Sequence, residues 1–274
     1  MVSVPDRVDA VRYAQTRGLS QRRACGLLRL SRSMLGYTRR LPVRDAPALV
    51  RMHELARENP VWGMRLVWGR LREEGLCQNR KRGHRLWCQA GLQQQKKRRR
   101  KLRSGARLDP PALAANDVWC VDLTEDRLEN GRRYYGLLIK DEASAYGLAI
   151  RLGHSFTARA VRAVLEGLVM TYGAPRYLRS DNGPQFIART LKAFAEKHAV
   201  TTAYIDPGKP WQNGAGESFI GTYRREVLDA EVFQTLLEAQ VMSERWRRKY
   251  NTYRPHSKHK HRPPATAYPL AKAA

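Results

Sequence analysis

The chain of 274 residues is long enough for one large domain, or two to three small ones, with a substantial core. Lys and Arg number 51 against 25 Asp and Glu, a net charge of +26, so a polyanion is the expected partner and a merely basic surface the weaker reading. The opening residues hold no charged-then-apolar leader and no run approaches about 18 apolar residues, so neither an ordinary secretory signal nor a membrane span is expected.

Four cysteines (Cys25, Cys77, Cys88, Cys120) form no Cys-x-x-Cys pair. Neither a zinc ribbon nor a disulfide framework is suggested, and a reduced cytosolic compartment fits. The basic excess is uneven. Residues 1–115 hold 27 Lys/Arg against 8 Asp/Glu, net +19; residues 116–274 hold 24 against 17, net +7.

In chain order, residues 19–37 read as helix, short turn, helix. Ala24, Leu27 and Leu28 share one face of the first helix; Ser31 can cap a second that carries Met34, Leu35 and Tyr37. Arginines 22, 23, 32, 39 and 40 surround that core, a pattern resembling a helix-turn-helix, with a plain helical hairpin nearly as good a reading. A second helical pair follows, over 65–72 and 80–90, with Asn79 as cap, Leu86 and Trp87 inward, and Gly91 as stop. Lys96, Lys97, Arg98, Arg99, Arg100 and Lys101 then form a block of like charge ahead of Pro110-Pro111. This reads as a basic linker that tracks DNA phosphates or serves as a plain tether.

After Pro111 strands alternate with helices: strands over 118–124, 133–139 and 145–152, a helix over 157–171, a strand over 176–179, a helix over 187–198, and a strand over 200–205. A helix then runs from about Asn213 through Glu226, and another over 231–250. By analogy this is the order of a ribonuclease H-like fold: a mixed five-stranded sheet with flanking helices, preceded by an all-α helix-turn-helix region. The expected division is a helix-turn-helix-like region at 1–45, a second helical DNA-binding region at 46–92, a basic linker at 93–112 and a catalytic domain at 113–274.

Three acids stand out against the basic background. Asp122 lies in the apolar first strand, Asp181 follows the fourth strand in Ser-Asp-Asn-Gly-Pro, and Glu217 opens the helix after the fifth. Singly, the last two are a common turn and a helix-dipole complement. An Asp inside an apolar strand is harder to dismiss, because burying it unpaired is costly. If the first and fourth strands are neighbours, the aspartates converge and a docked helix can add the glutamate. Three such carboxylates suit a pair of Mg²⁺ ions, hard cations that prefer oxygen ligands. Two ions about 3.5–4 Å apart can hold the attacking and leaving oxygens of a phosphoryl displacement.

Asp181 and Glu217 are separated by 35 residues. Around them stand Trp119-x-x-Asp122, Ser180-Asp181-Asn182-Gly183-Pro184-x-Phe186, Pro207-Gly208-Lys209-Pro210-x-Gln212-Asn213-Gly214-x-x-Glu217-Ser218-Phe219 and Trp246-Arg247-x-x-Tyr250-Asn251-x-x-Arg254-Pro255-His256. In these motifs the chain resembles bacterial insertion-sequence transposases of the insertion-sequence-three type, second-reading-frame products with a retroviral-integrase-like Asp-Asp-Glu core. The resemblance implies that Asp122, Asp181 and Glu217 are catalytic and bind Mg²⁺, with Mn²⁺ as substitute and two ions per site. It implies cleavage at the element's ends, freeing 3′-hydroxyls that attack a target phosphodiester with no covalent protein–DNA intermediate. The implied partners are double-stranded DNA (ends and target), further copies of the chain, and an upstream-frame protein joined by frameshifting. The implied location is the bacterial cytoplasm at the nucleoid, with no membrane. The sequence departs from the family pattern at Lys140, where an apolar residue is usual, at Ile220, and over 256–261.

Lys209 and Arg224 are expected as DNA contacts near Glu217, with solvent exposure as the plain alternative. His198, His256, His259 and His261 lack partner cysteines, so a solvated basic tail is preferred to a zinc site. The rival functions are a non-catalytic DNA-binding regulator or inactive transposase remnant, and a ribonuclease H-type nuclease acting on RNA–DNA hybrids.

Overall fold

The computed structural model describes residues 3–37, 40–94, 111–181, 183–204 and 214–268. The chain forms two compact units, Met1–Val50 and Arg51–Ala274.

In the first unit, α1 (Val4–Thr16) starts at Ser3, whose hydroxyl and backbone exchange hydrogen bonds with Asp6 in a capping box. Ser20 caps α2 (Gln21–Leu27) through the Arg23 N–H. Val11, Ala24, Cys25 and Leu30 form the small core, with Met34 and Leu35 packed at its edge. Two local expectations change. Leu27, assigned to the buried face, is 73 % exposed, and Cys25 takes its place. The helix expected after Ser31 is a single 3-10 turn, Arg32–Met34, and the Ser31 hydroxyl bonds Ser33 instead of capping a backbone N–H. So short a segment offers too few hydrogen bonds to offset helix nucleation.

Helix α3 (Arg40–Glu58) has no counterpart among the elements expected from the sequence. Pro47 sits inside it, removing a donor that ordinary helices need, and so hides the helix from pattern reading. Ala48, Met52 and Leu55, spaced for one face, are nonetheless buried. In the second unit α4 (Met64–Glu73) and α5 (Arg80–Gln89) form as expected. Asn79 accepts from the Lys81 and Arg82 N–H groups, and Gly91 takes the left-handed φ of 67° just past the helix.

The sheet consists of β1 (Val118–Arg127), β2 (Arg133–Asp141), β3 (Gly147–Gly153), β4 (Tyr177–Ser180) and β5 (Thr201–Tyr204), in the order β3-β2-β1-β4-β5. β1–β2 and β2–β3 are antiparallel, whereas β1–β4 and β4–β5 are parallel. This is the expected five-stranded mixed sheet. One face packs on α6 (Ala158–Tyr172), α7 (Pro184–Ile187) and α8 (Arg189–Lys197) through Trp119, Val121, Leu137, Leu165, Phe186 and Phe194. The single helix expected over 187–198 is broken at Ala188, whose backbone is extended.

The other face packs on α9 (Gly214–Tyr223), its π-helical continuation Arg224–Leu228, and α10 (Leu236–Thr252). α10 begins five residues later than expected. Phe233 is buried in this layer, its carbonyl accepts from the Glu129 N–H, and Thr235 then caps the helix through Glu238. Along edge strand β3, the Asn251 side chain accepts from the Gly147 N–H (2.8 Å) and donates to the Gly147 carbonyl (2.9 Å). An amide thus stands where a further strand would pair, satisfying groups that an open edge would leave exposed.

The histidine segment is not a solvated tail. His256 and Arg262 form a β-bridge around the 3-10 turn Ser257–His259, and the His259 ring bonds the Ser144 carbonyl at 2.6 Å. Among the described residues no helix is long and apolar enough to cross a membrane.

Gly147 marks the tightest contact between α9 and the sheet, since a Cβ there would lie 2.8 Å from Phe219 Cζ. Gly147→Ala must displace Phe219 and with it α9. We expect a loss of about 1–3 kcal/mol in urea unfolding, and a larger loss in any activity that depends on Glu217 than a distant variant of equal stability shows.

Candidate active site

Three paired residues fix where the acidic side chains lie. β1 and β4 run in register with Val118 beside Tyr177, Trp119 beside Leu178 and Cys120 beside Arg179. Carried on by two residues, that register sets Asp181 beside Asp122. Neighbouring strands lie about 4.8 Å apart, and residues matched in a parallel pair project to the same face. The face is set by Asp122's partner on β2, Leu138, which belongs to the layer containing Phe219 and Tyr223. Trp119 and Val121 point the other way, into the α6–α8 layer.

Helix α9 lies across this face, anchored at both ends. Near its start, the buried Lys140 ammonium donates to the Ala215 carbonyl (3.3 Å). Past its end, Arg224 Nη2 donates to Thr124 Oγ1 (3.1 Å) and to the Glu125 carbonyl (2.7 Å). Lys140 pairs with Cys120 on β1, so α9 travels from the level of residue 120 to that of residues 124–125. Glu217 falls between the two anchors, in the first turn of α9. It lies roughly 200° around the helix from Phe219, which is buried toward β3. Glu217 is therefore on the exposed side of α9.

Asp122 is half-buried and its Oδ1 accepts from the Leu123 N–H at 2.8 Å. Asp181 is exposed, and its Oδ1 accepts from the Gly183 N–H at 3.1 Å, closing the turn after β4. The β1–β4 register thus directs Asp122 and Asp181 to the face that α9 crosses, with Glu217 on the exposed side of that helix. Among the described residues, however, no three His, Cys, Asp or Glu side chains are close enough together to hold a metal ion. Nearby like charges repel. The donor set is nevertheless all carboxylate oxygen on adjacent elements, which matches a hard divalent cation rather than a soft one.

A second acid in the sheet, Asp141, is explained without chemistry. It is fully buried and accepts from the Asn116 and Ser144 N–H groups and the Ser144 hydroxyl, which pins the β2–β3 turn. Burial pushes its carboxyl up while those donors oppose the shift.

Below Asp122 and Asp181 lies a charged layer that sequence reasoning did not find. Arg179, 2 % exposed, pairs with Glu142; the Cys120 thiol donates to Glu142 at 3.5 Å and is pushed up to about 12 by burial. Burial pushes the Lys140 ammonium down to about 8. Lys258 donates to the Glu142 carbonyl. The signal available was Lys140 itself, a departure from the family pattern and a lysine directly after the apolar run Leu137-Leu138-Ile139. Arg224, expected as a DNA contact, is half-buried and ties α9 to β1. Lys96, Lys97, Arg98, Arg99, Arg100, Lys101 and Lys209 lie outside the described residues.

Burial, assisted by Lys140, His259, Arg254 and Lys258, pushes His256 down to about 3, and burial lowers His259 and His261 as well. These imidazoles are neutral in the folded chain but take up protons near their ordinary pKa once unfolded. The contribution of His256 is complete above about pH 6.5 and is lost as pH falls toward 3. Urea unfolding between pH 7 and 4 should lose up to about 1.4 kcal/mol per pH unit through His256, and His256→Asn should flatten the profile.

Two family models, each described as an integrase core domain, match residues 112–210 and 198–264. An uncharacterized 31.7 kDa protein of insertion element IS407 from Burkholderia multivorans is 37 % identical over 243 residues, covering 87 % of each chain. An uncharacterized 39.2 kDa protein of insertion element IS476 from Xanthomonas euvesicatoria is 36 % identical over 249 residues, covering 90 % of this chain and 72 % of that one. Transposase InsD for insertion element IS2-9 of Escherichia coli is 26 % identical over 277 residues, covering 92 % and 90 %. Among solved structures, a chain of the simian T-cell lymphotropic virus intasome in complex with PP2A regulatory subunit B56 gamma superposes with a TM-score of 0.51 at 15 % identity, covering 70 % of this chain and 67 % of that one. This last likeness concerns the fold, a ribonuclease H-like sheet with flanking helices.

Proposed function

This chain belongs to the insertion-element transposases that carry an integrase core domain, and we propose that Asp122, Asp181 and Glu217 carry its phosphodiester chemistry. It is a DNA transposase, a polynucleotidyl transferase of the Asp-Asp-Glu type. The observation that supports the residue assignment best is the β1–β4 register, which sets Asp181 beside Asp122 under a helix bearing Glu217.

In this reading the three carboxylates bind Mg²⁺, or Mn²⁺ in its place, with two ions per site. The bound metal supplies charge stabilisation for the attacking and leaving oxygens. The chain's own residues set the positions. Asp122 is held by β1–β2 pairing opposite Leu138, Asp181 by the turn that follows β4, and Glu217 by a helix braced at Lys140 and Arg224. Attack of water on an end phosphodiester breaks the P–O3′ bond and leaves a 3′-hydroxyl. That hydroxyl then attacks a target phosphodiester, displacing another 3′-oxygen, so one bond forms for each that breaks. The substrates are double-stranded DNA at the element's ends and at the target, within the nucleoid.

Residues 1–45 and 46–92 engage DNA, 93–112 link them to the catalytic domain at 113–274, and Lys96–Lys101, Lys209 and Arg224 contribute phosphate contacts. The chain works as a homo-multimer on DNA and as a frameshift fusion with an upstream-frame protein.

The test is strand cleavage of a labelled duplex carrying the element's own end, with and without Mg²⁺. Glu217→Gln should lower cleavage by about 100–1000-fold or more while the dissociation constant for the same duplex changes little, and chelation should abolish cleavage. Cleavage that survives Glu217→Gln sinks the assignment. Tight binding with no cleavage by either protein returns the chain to a regulator or remnant.

A further inference from the structure

Two residues ahead of each of the three acids stands a group bound to the end of β2. Ahead of Asp122, the Cys120 thiol donates to Glu142 Oε2 at 3.5 Å. Ahead of Asp181, Arg179 forms an ion pair with the same oxygen. Ahead of Glu217, the Ala215 carbonyl accepts from the Lys140 ammonium at 3.3 Å. Strand pairing sets this common level. Lys140 is matched with Cys120 across β2 and β1, and Cys120 with Arg179 across β1 and β4. Side chains in such a row share a face, and the next row on that face, about 6.7 Å along the strands, contains Asp122.

A group that positions others must itself be held, and the turn after β2 is held on every side. The Glu142 N–H donates to the Val118 carbonyl and the Asp141 N–H to the Tyr146 carbonyl, each at 2.9 Å. Lys258 donates to the Glu142 carbonyl at 2.8 Å, and the His259 ring bonds the Ser144 carbonyl. Lys140, Arg179 and Cys120 are buried. Stability alone does not account for charge in this layer, because apolar groups of similar volume often replace a buried ion pair at no loss. What a buried pair does impose is orientation, since a displaced partner leaves a charge uncompensated.

Given the Asp122–Asp181–Glu217 reading above, on which this depends, we propose that Glu142 and Lys140 are positioning residues for the phosphodiester chemistry. Glu142 fixes β1 against β4 through Cys120 and Arg179, and Lys140 fixes the start of α9 against β2. They act through the elements that carry the acids, which like-charge repulsion pushes apart, and not by contact with DNA.

The experiment counts Mn²⁺ bound by the full chain on a duplex carrying the element's end, from loss of the free-ion electron paramagnetic resonance signal, with the duplex alone subtracted. Cleavage of the same duplex in Mg²⁺ and urea unfolding without metal are measured alongside. Lys140→Met and Glu142→Gln should each weaken Mn²⁺ binding and slow cleavage by about 10–100-fold, the usual cost of losing a group that orients metal ligands. Affinity for the duplex without metal should stay the same. Lys140→Met should unfold at the same urea concentration or higher, because a desolvated charge is removed; a purely structural lysine would then show no loss of Mn²⁺ binding. A folded variant that binds Mn²⁺ and cleaves like the wild type overturns the role of its residue, as does a Lys140→Met chain that unfolds more easily. If Glu142→Gln does not fold, Glu142→Met/Arg179→Met, which leaves neither charge unpaired, must still show the loss. Glu217→Gln in parallel keeps the two readings apart. If it binds Mn²⁺ and cleaves like the wild type, the triad is wrong and the positioning role falls with it. If it loses both while Lys140→Met and Glu142→Gln lose neither, the triad stands and the positioning role alone is wrong.

Discussion

Parallel backbone pairing between β1 and β4 joins Val118–Cys120 to Tyr177–Arg179, two stretches separated by two strands and a helix. Parallel strands require such an excursion between them, and here it is filled by β2, β3 and α6. The pairing buries Trp119, Val121 and Leu178 on one side, which locks the register, since a slip of one residue would turn those side chains to the wrong face. Once the register is locked, Asp122 on β1 and the turn that opens with Asp181 after β4 start from a fixed offset.

The position of Glu217 depends on a different set of forces. α9 is seated by Phe219 in the space left by Gly147, and by Tyr223, whose hydroxyl donates to Ser243 at 2.6 Å while Ser243 donates to the Ala239 carbonyl. Below it, Glu226 accepts from the Trp246 indole and from Arg254, two side chains of the α10 layer. The π-helical turn Arg224–Leu228 aims Arg224 at β1 and keeps Val227 and Leu228 in the core. These contacts join α9, α10 and β3 in one aromatic layer of Phe219, Tyr223, Trp246 and Tyr250. Moving any one of them moves the glutamate relative to the aspartates.

Charge is handled in two ways in the same unit. Beneath the acidic face the buried Arg179 pairs with Glu142 and the buried Lys140 donates to the Ala215 carbonyl, as buried charges must find partners. On α4 and α5, Arg65 and Arg80 pair with no carboxylate among the described residues. A net charge summed along the sequence does not separate cations paired in this way from those without a carboxylate.

Much was legible in the amino-acid order alone. Period-two apolar runs marked the strands, helical periodicity marked α6, α8 and α10, and Asn79 and Gly91 marked the ends of α5, because these signals arise between residues a few positions apart. The acids Asp122, Asp181 and Glu217 stood out for the same local reason, an ionisable group in an apolar strand or a turn. What only the tertiary structure decided was relational. It separated Asp122 from the internally satisfied Asp141, and turned the 256–262 segment from a tail into a packed element. It also kept α3 helical through Pro47 and left Leu27 exposed while burying Cys25. Each of these outcomes depends on atoms distant in sequence, which compete for burial and hydrogen bonds only after the chain has folded.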